Sequence, residues 1–230
     1  MAAPLAVRRQ IVDVCRRLYD RGLIAGQDGN VSVRLAPDRI LVTPAGMSKV
    51  DVGTDDLVEL TLAGAQSRGA RRASSEVALH LRAYRRRPDV QAVVHAHPPT
   101  ATGFAVAGEG LTACVLPELV YQVGQVPLVP YATPGTEALA DAFEPFLGTH
   151  DAFLMSNHGA LTLGPSLLIA HQRMESIEHA ARILLTARLL GRVTELTPAQ
   201  VDALIDSRLR SGAPGANPGC PPGNEPRRAR

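Results

Sequence analysis

The chain has 230 residues, 45% of them hydrophobic, which suffices for a buried core and excludes wholesale disorder. Lysine and arginine together number 24 against 22 acidic residues, so the net charge of +2 gives no global field for nucleic acid or an anionic membrane. Aromatic residues make up 3% and tryptophan is absent, so a base-stacking surface is not expected either.

Residues 5–21 predict a helix, because Val7, Ile11, Val14, Cys15 and Leu18 recur at helical spacing and Gly22 stops it. Its arginines fill a solvated face. They also interrupt any apolar leader, and no run approaches ~18 apolar residues, so a soluble, cytoplasmic protein is expected. Val31, Val33 and Leu35 alternate with polar residues as in a strand, Pro37-Asp38 turns the chain, and residues 39–43 return as a second strand. A loop follows, then a third short strand over residues 57–62. Residues 75–87 predict a helix capped by Ser74 and Ser75. Val90 to His95 is a continuous apolar strand, and Pro98-Pro99 open a short helix. Residues 126–129, 152–155 and 160–163 predict strands, and 137–146 a helix. The longest helix covers 166–190, with Leu168, His171, Glu175, Glu178 and Arg182 on one side and Ile169, Ile177, Ile183 and Leu184 in the core. A last helix covers 198–209. Residues 1–210 thus form one α/β domain with a mixed sheet. Residues 211–230 are a Pro/Gly-rich tail, expected to be disordered and dispensable for folding.

Two residue counts narrow the chemistry. Lys49 is the single lysine, so Schiff-base catalysis has one candidate, and it lies in a predicted loop. The three cysteines, Cys15, Cys114 and Cys220, are widely spaced without a CxxC, so neither a disulfide framework nor a cysteine-only zinc site is expected.

The sharpest signal is His95-Ala96-His97-Pro98 at the end of a strand. Residues two apart on a strand share a face, so both imidazoles can turn to one ion. His158, in Ser156-Asn157-His158-Gly159, also follows a strand, and strand ends on one sheet edge cluster. Glu76 adds a carboxylate at a helix start. Three histidines and a carboxylate are the ligand set of a catalytic divalent metal, typically zinc. Gly29-Asn30-Val31-Ser32, Thr43-Pro44-Ala45-Gly46 and Ser74-Ser75 offer hydroxyls and free backbone N–H groups, which suit an anion. No GxxxxGK[ST] occurs, so a nucleoside triphosphate is not implied.

In order, GNVSVR, TPAGMSK, SSE, HAHP, PYATPGT and NHG resemble the class II aldolase/adducin family, over residues 5–210. The resemblance implies a central, mostly antiparallel sheet flanked by helices. It makes His95, His97 and His158 zinc ligands, with cobalt or manganese as other possible ions, and Glu76 a resting ligand that then acts as base. It assigns the substrate phosphate to Asn30, Gly46, Ser74 and Ser75. It further implies a homotetramer with active sites at subunit interfaces, acting on a phosphorylated ketose and not on nucleic acid or membrane. The activity implied is cleavage of a ketose or deoxyketose 1-phosphate, of fuculose, ribulose, 5-deoxyribulose or 5-methylthioribulose type, to dihydroxyacetone phosphate and an aldehyde. In the fuculose-phosphate aldolases a neighbouring subunit's tyrosine protonates the departing fragment. The matching stretch is Leu116 to Tyr121, with Glu118 nearest that position, so Glu118 or Tyr121 would serve the aldehyde half. The family's tail supplies a second tyrosine, and none follows Tyr131 here. The same enediolate would also serve an epimerase, dehydratase or decarboxylase of the family, and a non-catalytic adducin-like binding module is the remaining alternative.

Overall fold

In the computed structural model, residues 3–217 and 219 are described. Period-two alternation of apolar residues builds its sheet. The strands are β1 (Asn30–Ala36), β2 (Arg39–Val42), β3 (Val58–Thr61), β4 (Gln66–Arg68), β5 (Ala92–Ala96), β6 (Leu128–Val129), β7 (Ala152–Met155) and β8 (Gly159–Gly164). They lie in the order β4-β3-β2-β1-β5-β8-β7-β6. Every pairing is antiparallel except β6 with β7. This is the expected α/β fold with a mixed, mostly antiparallel sheet.

The two faces of the sheet carry separate cores. Val31, Leu41, Val94 and Leu154 face one side, where α1 (Leu5–Asp20), α3 (Pro99–Val106) and α7 (Leu167–Leu189) pack. Ile40, Val42, Val93 and Phe153 face the other, beneath α2 (Val77–Arg86), α5 (Glu137–Ala142) and α6 (Glu144–Leu147). A strand position that alternates between two buried layers has no tolerance for a one-residue slip, which fixes the register. In α1 the apolar spacing places Ile11, Val14, Cys15 and Leu18 inside, each contributing about 1.5–3 kcal/mol when fully buried if as large as leucine. Gly22, with φ of +65°, ends it.

The structure corrects several expectations. The predicted helix over 137–146 is two helices, α5 and α6. Strand β4 and α4 (Pro117–Gln122) were missed, being three and six residues long, too short to show a period. In α7 the buried stripe runs Leu167, Ala170, Met174, Ile177, Ala181 and Leu184, so Ile183 is exposed and Leu168 is 54% exposed. Conversely, His171 and Glu178 are buried. Glu178 accepts hydrogen bonds from the backbone N–H groups of Thr100 and Ala101, at 3.0 and 2.9 Å. The reason is that α3 begins at Pro99, and Pro98 at its N-cap gives no side-chain cap, so its free N–H groups draw in a carboxylate. Cys15 is buried and free, but Cys114 is disulfide-bonded, contrary to the reading of the cysteine spacing. Among the described residues, no helix is long and apolar enough to cross a membrane.

The segment after α8 (Pro198–Ser211) is held at several points, contrary to the expectation of a loose tail. Arg208, on α8, donates to the carbonyls of Tyr121, Pro214 and Gly215, and Arg173, on α7, donates to Pro214. Asn217 donates to the carbonyl of Val120 at 2.8 Å. Both arginines are buried, and buried guanidinium groups need acceptors that side chains here do not fully supply. Residues 218 and 220–230 lie outside the described residues. Ending the chain after Gly212 would strip acceptors from two buried donors, at about 1–3 kcal/mol each. The expected result is a fall in melting temperature of roughly 5–10 °C. A thermal melt shifted by less than about 2 °C would show that the segment contributes nothing.

Candidate active site

Three chain segments end at the same edge of the sheet. Asn30 opens β1 opposite His95 near the end of β5. The turn from β7 to β8 carries His158, and β8 pairs with β5 through Leu161 opposite His95. His95 and His97 share a face as expected, although the strand stops at Ala96. The three rings stand edge to face, with centroids 4.8–5.1 Å apart. One nitrogen from each lies within 4.8 Å of the others.

Two glycines allow this convergence. A Cβ on Gly159 would lie 2.6 Å from both the Ala96 carbonyl oxygen and His97 Cδ2. A Cβ on Gly29, whose φ is +72°, would lie 2.8 Å from the His95 carbonyl oxygen. Only glycine fits such approaches. Asn157, at φ of +55°, takes the left-handed turn that aims His158 inward.

Glu76 sits at the N-cap of α2 and reaches the cluster. Its Oε2 is 3.2 Å from His95 Nε2 and its Oε1 is 3.1 Å from His158 Nε2. Asn30 donates its side-chain amide to Oε2 at 2.8 Å. Burial alone would raise the Glu76 carboxyl, but the His95 and His158 rings beside it hold it well below the ordinary carboxylate range. Burial lowers the His97 imidazole to about 4, and a proton on the neighbouring His95 ring would act in the same direction.

The donor set fits a divalent cation. His95 donates Nδ1–H to the Ala160 carbonyl at 2.9 Å, so its Nε2 presents a lone pair. His97 Nε2 faces that atom at 3.1 Å. Two lone pairs at that separation repel unless a proton or a cation lies by them. Glu76 Oε1 is buried and out of hydrogen-bond alignment with His158 despite its closeness. Closeness without alignment suits two ligands of one ion better than a donor and acceptor. Neutral imidazoles and a carboxylate match zinc and its neighbours.

The predicted anion residues meet at one corner. Ser74 donates its N–H to the Thr43 carbonyl at 3.2 Å, and Ala45 donates to Arg72 at 3.0 Å, lacing the Gly46 loop to the serine pair. Gly46 is exposed, with φ of +66°. Ser74 and Ser75 do not cap α2, which starts at Val77 after Glu76 and has no side-chain cap. Ser74 is buried and takes a long 3.4 Å contact from the Glu76 N–H, while Ser75 is exposed. The Asn30 side-chain carbonyl is buried without a partner.

Three neighbours were not placed at this site by the sequence reading. Asp28 Oδ2 lies 3.3 Å from His97 Nδ1. Lys49 is buried, and its ammonium donates to the Gln27 and Met47 carbonyls at 2.8 Å each. His80, one turn beyond Glu76, is fully buried and shares Ser32 Oγ with Tyr84. Burial pulls the His80 ring down to about 3, so it is neutral. A Glu–x–x–x–His helical spacing was the available signal for His80, and GQDGN for Asp28.

Glu118 and Tyr121 lie elsewhere in the chain, on α4. Glu118 is exposed. The Tyr121 hydroxyl pairs with Ser211 Oγ at 2.6 Å, beside a cavity of about 370 Å³ between α4, α7 and the segment after α8. Neither shares a hydrogen bond with the histidine cluster among the described residues.

Residues 9–185 match the family described as Class II Aldolase and Adducin N-terminal domain. A 3-oxo-tetronate 4-phosphate decarboxylase from Haemophilus influenzae is 32% identical over 205 residues, covering 87% of this chain and 96% of that protein. An L-fuculose phosphate aldolase from Methanocaldococcus jannaschii is 32% identical over 185 residues, covering 80% and 99%. A solved L-fuculose 1-phosphate aldolase superposes with a TM-score of 0.84 at 29% identity, over 90% of this chain and 97% of that one. The fold, the histidine cluster and these likenesses agree, and the chain belongs to the class II aldolase and adducin family.

Proposed function

We propose that the protein is a metal-dependent carbon–carbon lyase that cleaves a ketose 1-phosphate to dihydroxyacetone phosphate and an aldehyde. The observation that carries this reading is the convergence of His95, His97 and His158 with Glu76 against two of them. His95, His97 and His158 would hold a divalent ion, zinc with cobalt or manganese as substitutes, and it would supply positive charge to stabilise enediolate oxygens. Cleavage breaks the bond between the carbons α and β to the carbonyl, and its electron pair becomes the enediolate. The neighbouring hydroxyl loses its proton and becomes the aldehyde. Glu76 takes up a proton from solvent, replacing the one released from the hydroxyl, and delivers it to the enediolate carbon, completing dihydroxyacetone phosphate; it removes that proton in the reverse direction. Asn30, Gly46, Ser74 and Ser75 hold the phosphate and so decide which carbon faces Glu76. Glu118 or Tyr121 would handle the hydroxyl proton of a neighbouring subunit's substrate, in a homotetramer. Exposed Leu185, Leu189, Leu190 and Leu209 supply apolar surface for such assembly.

Decarboxylation is the second reading, favoured by the Haemophilus relative and by the missing tyrosines. Loss of carbon dioxide from a phosphorylated 3-oxo acid leaves the same enediolate and needs no group for an aldehyde half. One panel separates the two. Ketose 1-phosphates and 3-oxo-tetronate 4-phosphate are incubated with metal-loaded protein, and dihydroxyacetone phosphate, aldehyde and carbon dioxide are measured. Aldehyde in equal yield with dihydroxyacetone phosphate is expected from a ketose 1-phosphate. Carbon dioxide release alone would replace aldol cleavage by decarboxylation, and no triose phosphate from any substrate would reject both.

A further inference from the structure

We propose that Asp28 is a positioning residue that orients His97 for metal binding, an inference that rests on the metal reading above. His97 must present Nε2 to the cluster, because that atom faces His95 Nε2 at 3.1 Å. Its ring proton then belongs on Nδ1, the side on which the Asp28 carboxylate lies, with Oδ2 3.3 Å away. A carboxylate on the far nitrogen fixes the tautomer and the ring plane and makes the ligating nitrogen more basic. His95 has a neutral carbonyl in the same place, that of Ala160. Among the described residues, His158 Nδ1 has no hydrogen-bond partner. Among the described residues, Asp28 is thus the one charged group beside the non-ligating nitrogen of any of the three rings.

The loop around Asp28 is built to hold it there. Gly29 brings the backbone against His95, where no side chain fits. His97 donates its own N–H to the Leu23 carbonyl at 2.9 Å, joining the start of the loop to the ring it serves. Lys49 grips the carbonyl of Gln27, directly before Asp28, and that of Met47, beside Gly46. Burial lowers the Lys49 ammonium, and the charges of Cys15, Asp28 and Glu76 oppose that. The only lysine of the chain is therefore an anchor between the metal and phosphate loops, and not an exposed amine.

Asp28 itself is 45% exposed at its side chain, so its replacement leaves the core alone. Zinc affinity would be measured by competition with a chromophoric chelator, for the wild type, Asp28→Ala and Asp28→Asn. Asp28→Ala is expected to bind about 10–100-fold more weakly, with the metal-free melting temperature unchanged. Asp28→Asn keeps an acceptor and is expected to recover part of the loss. Long-range proton–nitrogen NMR should show His97 protonated at Nδ1 in the zinc-loaded wild type and a shifted, broadened signal in Asp28→Ala. Equal affinity of wild type and Asp28→Ala would overturn this role and leave the metal site standing. No zinc uptake by the wild type would overturn both. A cobalt-loaded Asp28→Asn whose visible spectrum reports a changed coordination number would make Asp28 a ligand and refute the positioning role.

Discussion

Glu76→Gln should lower turnover at least about 100-fold while the metal stays bound, the scale of losing a general base. Glutamine keeps the size of the side chain and an oxygen that can still accept from Asn30, but it cannot hold a proton. The carboxylate lies 3.1–3.2 Å from His158 and His95, so some weakening of the metal site is also expected. The three imidazoles that define the site are untouched. Metal content and turnover must therefore be measured on one sample. A mutant with full metal and wild-type turnover would reduce Glu76 to a ligand and move the proton transfer elsewhere.

His95→Ala should have the larger effect, because it would remove a proposed ligand and, among the described residues, the one ring of the three anchored through a backbone carbonyl. Electrophilic stabilisation contributes several kcal/mol, so turnover is expected to fall about three orders of magnitude or more. Metal content should fall with it, since the remaining donors no longer enclose the ion. His95 is 1% exposed, so a melt must accompany the assay to separate lost fold from lost metal. Stripping the wild type with a chelator should reproduce the defect, and adding zinc should reverse it in the wild type alone. Undiminished activity in chelated wild type would contradict a metal role.

Much of this was legible in the residues themselves. Strands with strong alternation or continuous apolar character, such as β1, β5 and β7, were readable, because side-chain period is a local property. The histidines were legible for the same reason, since strand ends and glycine turns announce where a sheet edge lies. What escaped depends on partners distant in sequence. Glu178 reads as a solvated helix residue until α3 is seen to need an acceptor. Arg173 and Arg208 carry no local hint that carbonyls after α8 will satisfy them. Asp28 reads as an ordinary turn residue between glycines and glutamine, and becomes notable only when His97 folds beside it. Ser74 and Ser75 show the converse error. Their position before a helix suggests caps, yet Glu76 takes the N-cap.

Hydrogen exchange into dihydroxyacetone phosphate tests the central chemistry most directly, because aldol cleavage and decarboxylation share its enediolate. Zinc-loaded protein would be mixed with dihydroxyacetone phosphate in deuterium oxide, and the hydroxymethyl protons followed by NMR. Loss of one of the two protons, dependent on zinc and abolished by Glu76→Gln, is the expected result. Unchanged protons in fully metal-loaded wild-type protein would contradict a metal-stabilised enediolate at this site.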